Sequence, residues 1–535
     1  MMVELTSFDQ FTSVSSFTTK KELIRTVVIF RFLFWFAMAI SCHLIPDHNP
    51  GDDVLRFHMR LGDEPCFCRK GHVCDKNYEA TARTKSSDCA TSGVFSSTLV
   101  PSSAWNFILS PMTKWDAARF LTLAVQPELR DPPNCPSATT ECSFAASEQA
   151  HAFFPMFPLV TQTLALWMSR YIPSFLLPPT FEGVIVLSGV LMNLLAMVIG
   201  TLALYDVTFR VCQSNHRLAM ATCFVYSIGN PAYVFFATNY SESLFSMCAL
   251  VGYAAMARQQ YALATLSWMV GSYTRSNGTI HSLWLLQHGL AQFCFYLTCK
   301  GDRPKDSNTQ RFRKGLGMLV LCIVAAILVA LPVFFHDWHG YHRHCNDYSE
   351  VDSSIHPSWC HDDAMPGFSL YGYTQRKHWN VGLFRYYEFK QIPNFLLAFP
   401  IWGFSLMGIA QWIQSSLKRH GKGKLPTYGK ILLWDWPIQA LADSISSSTP
   451  HGDLVTNPLL LGHYAILAVL TFVGITIAHV QISTRMLLSS SPSILWFLAH
   501  LWDSQDHRLR FLVKGYSVLY MILGIVLHVN FLPWT

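Results

Sequence analysis

The sequence predicts an all-α polytopic membrane protein, and three observations carry that prediction. Charged residues make up 13% of the chain, against about 25% in an ordinary soluble domain. Apolar residues make up 51%, gathered into charge-free runs that recur from end to end. Those runs are continuous, whereas the strands of a membrane β-barrel alternate and extend only about 10 residues.

Taken in order, the first apolar run is Thr26–Ile45, interrupted only by Arg31 and preceded by "KKELIR". No small-residue cleavage site follows it, so it reads as a transmembrane anchor rather than a signal peptide. Residues 1–25 then form a cytosolic N-terminus, and 26–535 a single transmembrane domain. Further charge-free runs are Gly183–Tyr205, Leu218–Ser241, Ser276–Cys299, Gly315–His336, Gln391–Leu417, Leu454–Thr484 and Gly515–Thr535. Phe153–Ser169, Met486–Trp502 and the pieces flanking Arg258 are shorter. At roughly 20 residues per crossing this gives about nine to twelve helices, with pieces such as Ser243–Ala257 open to a re-entrant reading.

Lys and Arg in short loops set the orientation. "KGDRPKDSNTQRFRK" (300–314) holds six basic residues against two acidic, and "KRHGKGKLPTYGK" (418–430) holds five and none. Both read as cytosolic. The long loops 46–150 and 337–390 therefore lie on the opposite side, and they carry 20 of the 33 acidic residues. Ile431–Asp453 is amphipathic and reads as interfacial. Cys66, Cys68, Cys74, Cys89, Cys135 and Cys142 fall in the first non-cytosolic loop, Cys345 and Cys360 in the second. An oxidising compartment permits disulfides there, but their connectivity cannot be read from sequence. Cys66, Cys68, Cys74 and His72 form the alternative of a zinc cluster, without the usual C-x₂-C spacing. The sequons at Asn239 and Asn277 adjoin apolar runs, so at least one is expected to be unused.

Charged and polar groups at a membrane edge mark function by default. Asp116, in "TKWDAARFLTLA", and Glu148, just before "QAHAFFPMFPLV", lie at the non-cytosolic edge, where a carboxylate can act as a general base. Each reads equally well as a helix cap or a surface carboxylate. Arg385, Glu388, Lys390 and Gln391 precede an apolar run and suit either snorkelling or a lipid phosphate. His479, Gln481 and Arg485 are spaced so that they can share one helix face. Pro231 breaks a run ahead of Tyr240, Ser241 and Glu242, and broken helices at membrane depth line cavities. Arg275 interrupts "YTRSNG" and needs a carboxylate or a phosphate as partner.

Several chemistries lack their motifs. There is no phosphate-binding P-loop and no G-x-G-x-x-G. There is no G-x-S-x-G and no H-E-x-x-H. An Asp-x-Asp pair for a metal–nucleotide sugar is also missing, so a sugar donor would be lipid-borne.

The blocks "WDAARF" (115–120), "EQAHAFFPMFPL" (148–159), "NPAYVFFATNYSESLF" (230–245), "TRSNG" (274–278), "HWNVGLFRYYEFKQIPNFLLAFP" (378–400), "HVQISTRMLLSSSP" (479–492) and "FLPWT" (531–535) occur in an order that resembles the GPI mannosyltransferase 2 (PIG-V type) family. Segments "YHRHC" (341–345) and "PSWC" (357–360) belong to the same resemblance. Gln149 and Ser147 depart from it, standing where animal relatives often carry His and Tyr, and residues 62–100 have no evident counterpart.

The resemblance implies a GT-C-type glycosyltransferase of the endoplasmic reticulum membrane. It implies transfer of the second, α1,6-linked mannose from dolichyl-phosphate-mannose to a mannosylated GPI lipid precursor, with inversion, on the luminal face. Asp116 is then the expected base, with Glu148 the second choice or an orienting group. Arg275, Arg385, Lys390, His479 and Arg485 are the expected phosphate ligands. Trp115, Tyr240, Glu242, Gln391, Asn394 and Gln481 are expected to contact the acceptor or the sugar. No cofactor, metal or nucleic acid is expected. The surrounding lipids are those of the endoplasmic reticulum, and an accessory membrane subunit is an open partner. Two alternatives stand beside this reading: another dolichyl-phosphate-mannose-dependent step, or a non-catalytic GPI-assembly or lipid-transport protein. A transporter predicts an internal repeat, and none is evident.

Overall fold

A computed structural model describes residues 16–45, 66–67, 73–74, 102–125, 148–212, 215–298, 307–346, 360, 369–420, 461–530 and 532. The zinc alternative at 66–74 and the amphipathic segment 431–453 lie wholly or largely outside the described residues, apart from one short antiparallel ladder that pairs β1 (Cys66–Phe67) with β2 (Val73–Cys74). Everything else that is regular is helical.

The helices are α1 (Ser16–Leu44), α2 (Ser102–Leu109), α3 (Asp116–Val125), α4 (Met156–Tyr171), α5 (Phe181–Val211) and α6 (His216–Ser227). Next come α7 (Tyr233–Ala237), α8 (Glu242–Ala257), α9 (Tyr261–Thr274), α10 (Ile280–Thr298), α11 (Asn308–Tyr341) and α12 (Ser369–Trp379). The chain continues through α13 (Ile392–His420), α14 (Leu461–Thr476), α15 (Ser483–Ser490), α16 (Pro492–Trp502) and α17 (His507–Leu523). Helix α5 forms the centre: α4, α6 and α8 pack on it, and α8 in turn carries α9 and α15. A hairpin of α10 and α11 closes one side, with α11 turning Leu321, Val324, Ile327 and Phe335 outward as a lipid-facing stripe. Its start is fixed by a capping box between Ser307 and Gln310.

Five helices are long and apolar enough to cross a membrane: Lys20–Leu44, Phe181–Val211, Asn308–Tyr341, Phe389–Gln414 and His507–His528. The shorter apolar helices α8 and α14 stand beside them, and not every apolar run is a single helix. Three of those runs are interrupted. Leu218–Ser241 breaks around Pro231 into α6, the one-turn α7 and the start of α8. The run Leu454–Thr484 leaves α14 at Thr476 and turns through a 3₁₀ segment, Val480–Ile482. In the third, Pro492 opens α16, separating it from α15. A 16-residue helix such as α8 rises about 24 Å, short of a hydrocarbon core about 30 Å thick.

The break at Pro231 is held by inward-facing polar groups. Arg31, fully buried on α1, donates to the Phe236 carbonyl at 2.5 Å and lies over the Tyr233 ring. Trp35 donates to Ala237 O at 2.9 Å and Ser243 to Phe236 O at 2.7 Å. A cation and two further donors thus satisfy the end of α7, where helical carbonyls have no partner of their own. Asn193 of α5 donates to the carbonyls of Thr238 and Tyr240. The segment is so close to α5 that a Cβ at Gly189 would lie 2.1 Å from Asn239 Oδ1. Outside the bundle, Cys345 and Cys360 form a disulfide, which resolves one pairing that the sequence left open.

Candidate active site

The turn before α3 is strained. Trp115 has φ 58°, in the left-handed region that β-carbon-bearing residues avoid. Two contacts hold it there. Its indole N–H donates to His528 O at 3.1 Å, and the next amide, Asp116 N, donates to Tyr240 Oη at 3.2 Å. The reward is the position of Asp116, at the first turn of α3, where the helix dipole favours a carboxylate.

Asp116 opens onto a cavity of ≈ 320 Å³ at the meeting point of the α3 turn, the α7–α8 break, the α9–α10 turn, α12 and the α14–α15 turn. Trp115, Tyr240, Arg275, His479, Gln481 and Arg485 also line it. Seven residues expected from four separate stretches of sequence therefore share one wall or another of a single space.

The charges form a chain. Arg485 donates from Nη2 to Asp116 Oδ2 at 3.3 Å and from Nη1 to Glu242 Oε1 at 3.1 Å. Arg275 Nη1 pairs with the same Glu242 oxygen, and also donates to Ser241 Oγ at 3.3 Å. Glu242 is fully buried, and the arginine side chains are 16% (Arg275) and 12% (Arg485) exposed, whereas Asp116 is 36% exposed. So one carboxylate is sealed beneath two guanidinium groups, and the other faces the cavity. The Arg485 guanidinium also stacks over the rings of Phe235 and Tyr240, which fixes its plane. Such an arrangement offers a fixed cationic wall to a phosphate beside a carboxylate able to accept a proton.

Other expected residues fall elsewhere. Glu242 is not among the residues that line this cavity; it pairs with the two arginines that do. Glu148 is paired with Lys377 of α12, and His378 Nε2 is 4.0 Å away. That hydrogen bond raises the Lys377 ammonium above its ordinary value. Its carboxylate is paired and is not among the residues that line the cavity; it ties the turn Glu148–Ala152 to α12, and this pair of elements forms one wall. Arg385 is exposed beyond the cavity, and Lys390 is exposed and paired with Glu388 at 2.6 Å. Neither reaches the arginine pair. Gln391 and Asn394 stand one step back: Tyr386 and Asn394 both donate to Gln391 Oε1 at 2.7 Å, and Gln481 donates to Asn394 Oδ1 at 3.4 Å. They orient Gln481, which does line the cavity. His479 packs on the Tyr386 ring, and burial, reinforced by the Arg485 charge, pushes its imidazole down to about 4.

Sequence reasoning missed Tyr371, Gln375, Trp379 and His528, which also line the cavity. Tyr371 exchanges a 2.6 Å hydrogen bond with Ser276, and its amide donates to Asp337 at 2.7 Å. Tyr371, Gln375 and Trp379 sit in the stretch expected to be a non-cytosolic loop, and His528 near the end of an apolar run, where a lone His was the available signal. The sequon residue Asn239 is fully buried, its Nδ2 donating to Met112 O and Val186 O, and Asn277 Nδ2 donates to Ser490 Oγ.

A helical membrane bundle with a carboxylate beside two coupled arginines at one edge is the frame of a membrane-embedded group transferase. The profile of the family described as Mannosyltransferase (PIG-V) matches residues 78–535, and the chain belongs to that family. A human protein named GPI alpha-1,6-mannosyltransferase 2 is 26% identical over 97% of this chain and 99% of its own length. The mouse protein of that name is 26% identical over 80% and 88%, and a Drosophila pseudoobscura GPI mannosyltransferase 2 is 27% identical over 80% and 87%. No solved structure matches the chain. The protein is thus a membrane-embedded mannosyltransferase.

Proposed function

We propose that the chain transfers the second mannose, α1,6-linked, from dolichyl-phosphate-mannose to a one-mannose GPI lipid, on the luminal face of the endoplasmic reticulum membrane. The observation that carries this is the contact of Asp116 with Arg485, itself coupled to Arg275 through Glu242, on the wall of one cavity. The family supplies the sugar, and the relatives' names supply the linkage.

The chemistry needs one displacement. Asp116 takes the proton of the acceptor 6-hydroxyl as that oxygen attacks C1 of the donor mannose. The C1–O bond to phosphate breaks, and dolichyl phosphate leaves with the electron pair. Arg275 and Arg485 stabilise the charge that grows on its oxygens. Attack opposite the β-linked phosphate gives the α product without a covalent enzyme intermediate. A phosphate arriving at Arg485 competes with Asp116 for the guanidinium, which frees the carboxylate when donor is bound.

The experiment is genetic. Cells that lack the protein should accumulate a one-mannose GPI lipid, measured by labelling with radioactive mannose, and the wild-type chain should clear it. Accumulation of any other intermediate overturns the assignment of the step.

A further inference from the structure

Helix α17 does not end as an ordinary α-helix. Gly524–His528 form a single π-turn, a wide turn that recurs at functional sites, and His528 closes it. Its carbonyl accepts the Trp115 indole N–H, next to Asp116. Its ring lies 5.3 Å from Phe235 and 5.5 Å from Tyr240 between centroids, and it lines the same cavity as Asp116, Arg275 and Arg485. The turn is pinned from behind: Asn530 donates to Val526 O at 2.7 Å and to Ser41 of α1 at 3.2 Å.

The ring is 1% exposed, and among the described residues Nε2 has no hydrogen-bond partner. A buried imidazole nitrogen without a partner is costly, and packing alone would be served better by Phe. Its ring packs against the aromatic faces of Phe235 and Tyr240, with the cations of Arg485 and Lys114 nearby. What the position suits is a neutral hydroxyl, which an imidazole can either donate to or accept from.

We propose that His528 is a substrate-contacting residue that hydrogen-bonds a hydroxyl of a hexose held against Asp116 and Arg485. The inference rests on the mannosyl-transfer reading above. Two sugars meet there, the transferred mannose and the acceptor mannose, and they present the same chemistry.

The test uses the full chain in detergent, with dolichyl-phosphate-mannose, one-mannose GPI lipid, and versions of each lacking one mannose hydroxyl at a time. His528→Phe keeps the volume of the ring and should lower kcat/KM about 10–100-fold, while His528→Gln, which keeps a donor and an acceptor, should stay within about fivefold of wild type. One deoxy analogue should be a poor substrate for the wild type and no poorer than its parent for His528→Phe. A deoxy donor behaving this way assigns the bond to the transferred sugar, and a deoxy acceptor assigns it to the acceptor. If His528→Phe retains wild-type kcat and KM, or discriminates against every analogue as the wild type does, the proposal is overturned. A wild type that makes no product with either parent substrate defeats the transfer reading itself, which separates the two failures.

Discussion

Two guanidinium groups converge on one oxygen of the fully buried Glu242. Removing that charge takes the carboxylate from Arg275 and leaves Arg485 with Asp116 alone, and breaking a buried pair costs about 3–5 kcal/mol. Glu242→Gln should lower the unfolding free energy in detergent by about that amount; an unchanged denaturation midpoint would show that the arginines do not depend on it. His479 gives the pH dependence. Its folded imidazole binds a proton only near 4, below the ordinary value of about 6.5. Between those values the unfolded chain holds more protons, so the contribution is complete above about pH 6.5 and is lost as pH falls toward 4. Stability should therefore decline from about pH 7 to 5, with a shallower slope in His479→Gln. A slope unaffected by that substitution would assign the effect to another group. At this scale Asp116, Arg275 and Arg485 were legible because a charge in an apolar context is expensive and needs a reason. The pairing of Glu148 was not legible, because its partner, Lys377, is 229 positions away and sequence carries no record of that meeting. Its carboxylate and that of Asp116 stand in similar sequence contexts, and only the pairing separates them.

At the scale of elements, the site depends on a helix that does not run through. Pro231 announced the break, but not what holds it. The donors to the segment 236–240 come from α1, α5 and α8, and each looked like a polar residue in an apolar run. Arg31 in particular interrupts the first run, and its inward direction depends on α7 ending opposite it. Asn193→Ala should show the dependence directly. It leaves the carbonyls of Thr238 and Tyr240 without their side-chain donor, at about 1–3 kcal/mol, and displaces Tyr240 from the Asp116 amide. Mannose transfer should fall more than expression, measured on the same membranes. Equal activity per molecule would mean that the segment holds itself. Composition reports which residues avoid water, and it does not report where a helix stops.

For the whole molecule, an all-α membrane bundle followed from apolar run length alone, while the coming together of five distant stretches needed tertiary packing. Near the α12 wall of the site, Cys345 and Cys360, separated by 15 positions, form a disulfide. Closing a loop of that size is worth about 3 kcal/mol, so Cys360→Ser should destabilise the protein by a comparable amount under oxidising conditions and by nothing once the wild type is reduced. The central claim, however, is that one carboxylate beside a cationic wall moves a mannose between two lipids. Purified protein supplied with dolichyl-phosphate-mannose and a one-mannose GPI lipid tests it most directly, comparing wild type with Asp116→Asn. The account predicts an α1,6-linked two-mannose product from the wild type and a rate lower by about 10²–10⁴ in the variant, with its folding intact. Product formed at the wild-type rate by Asp116→Asn would contradict it.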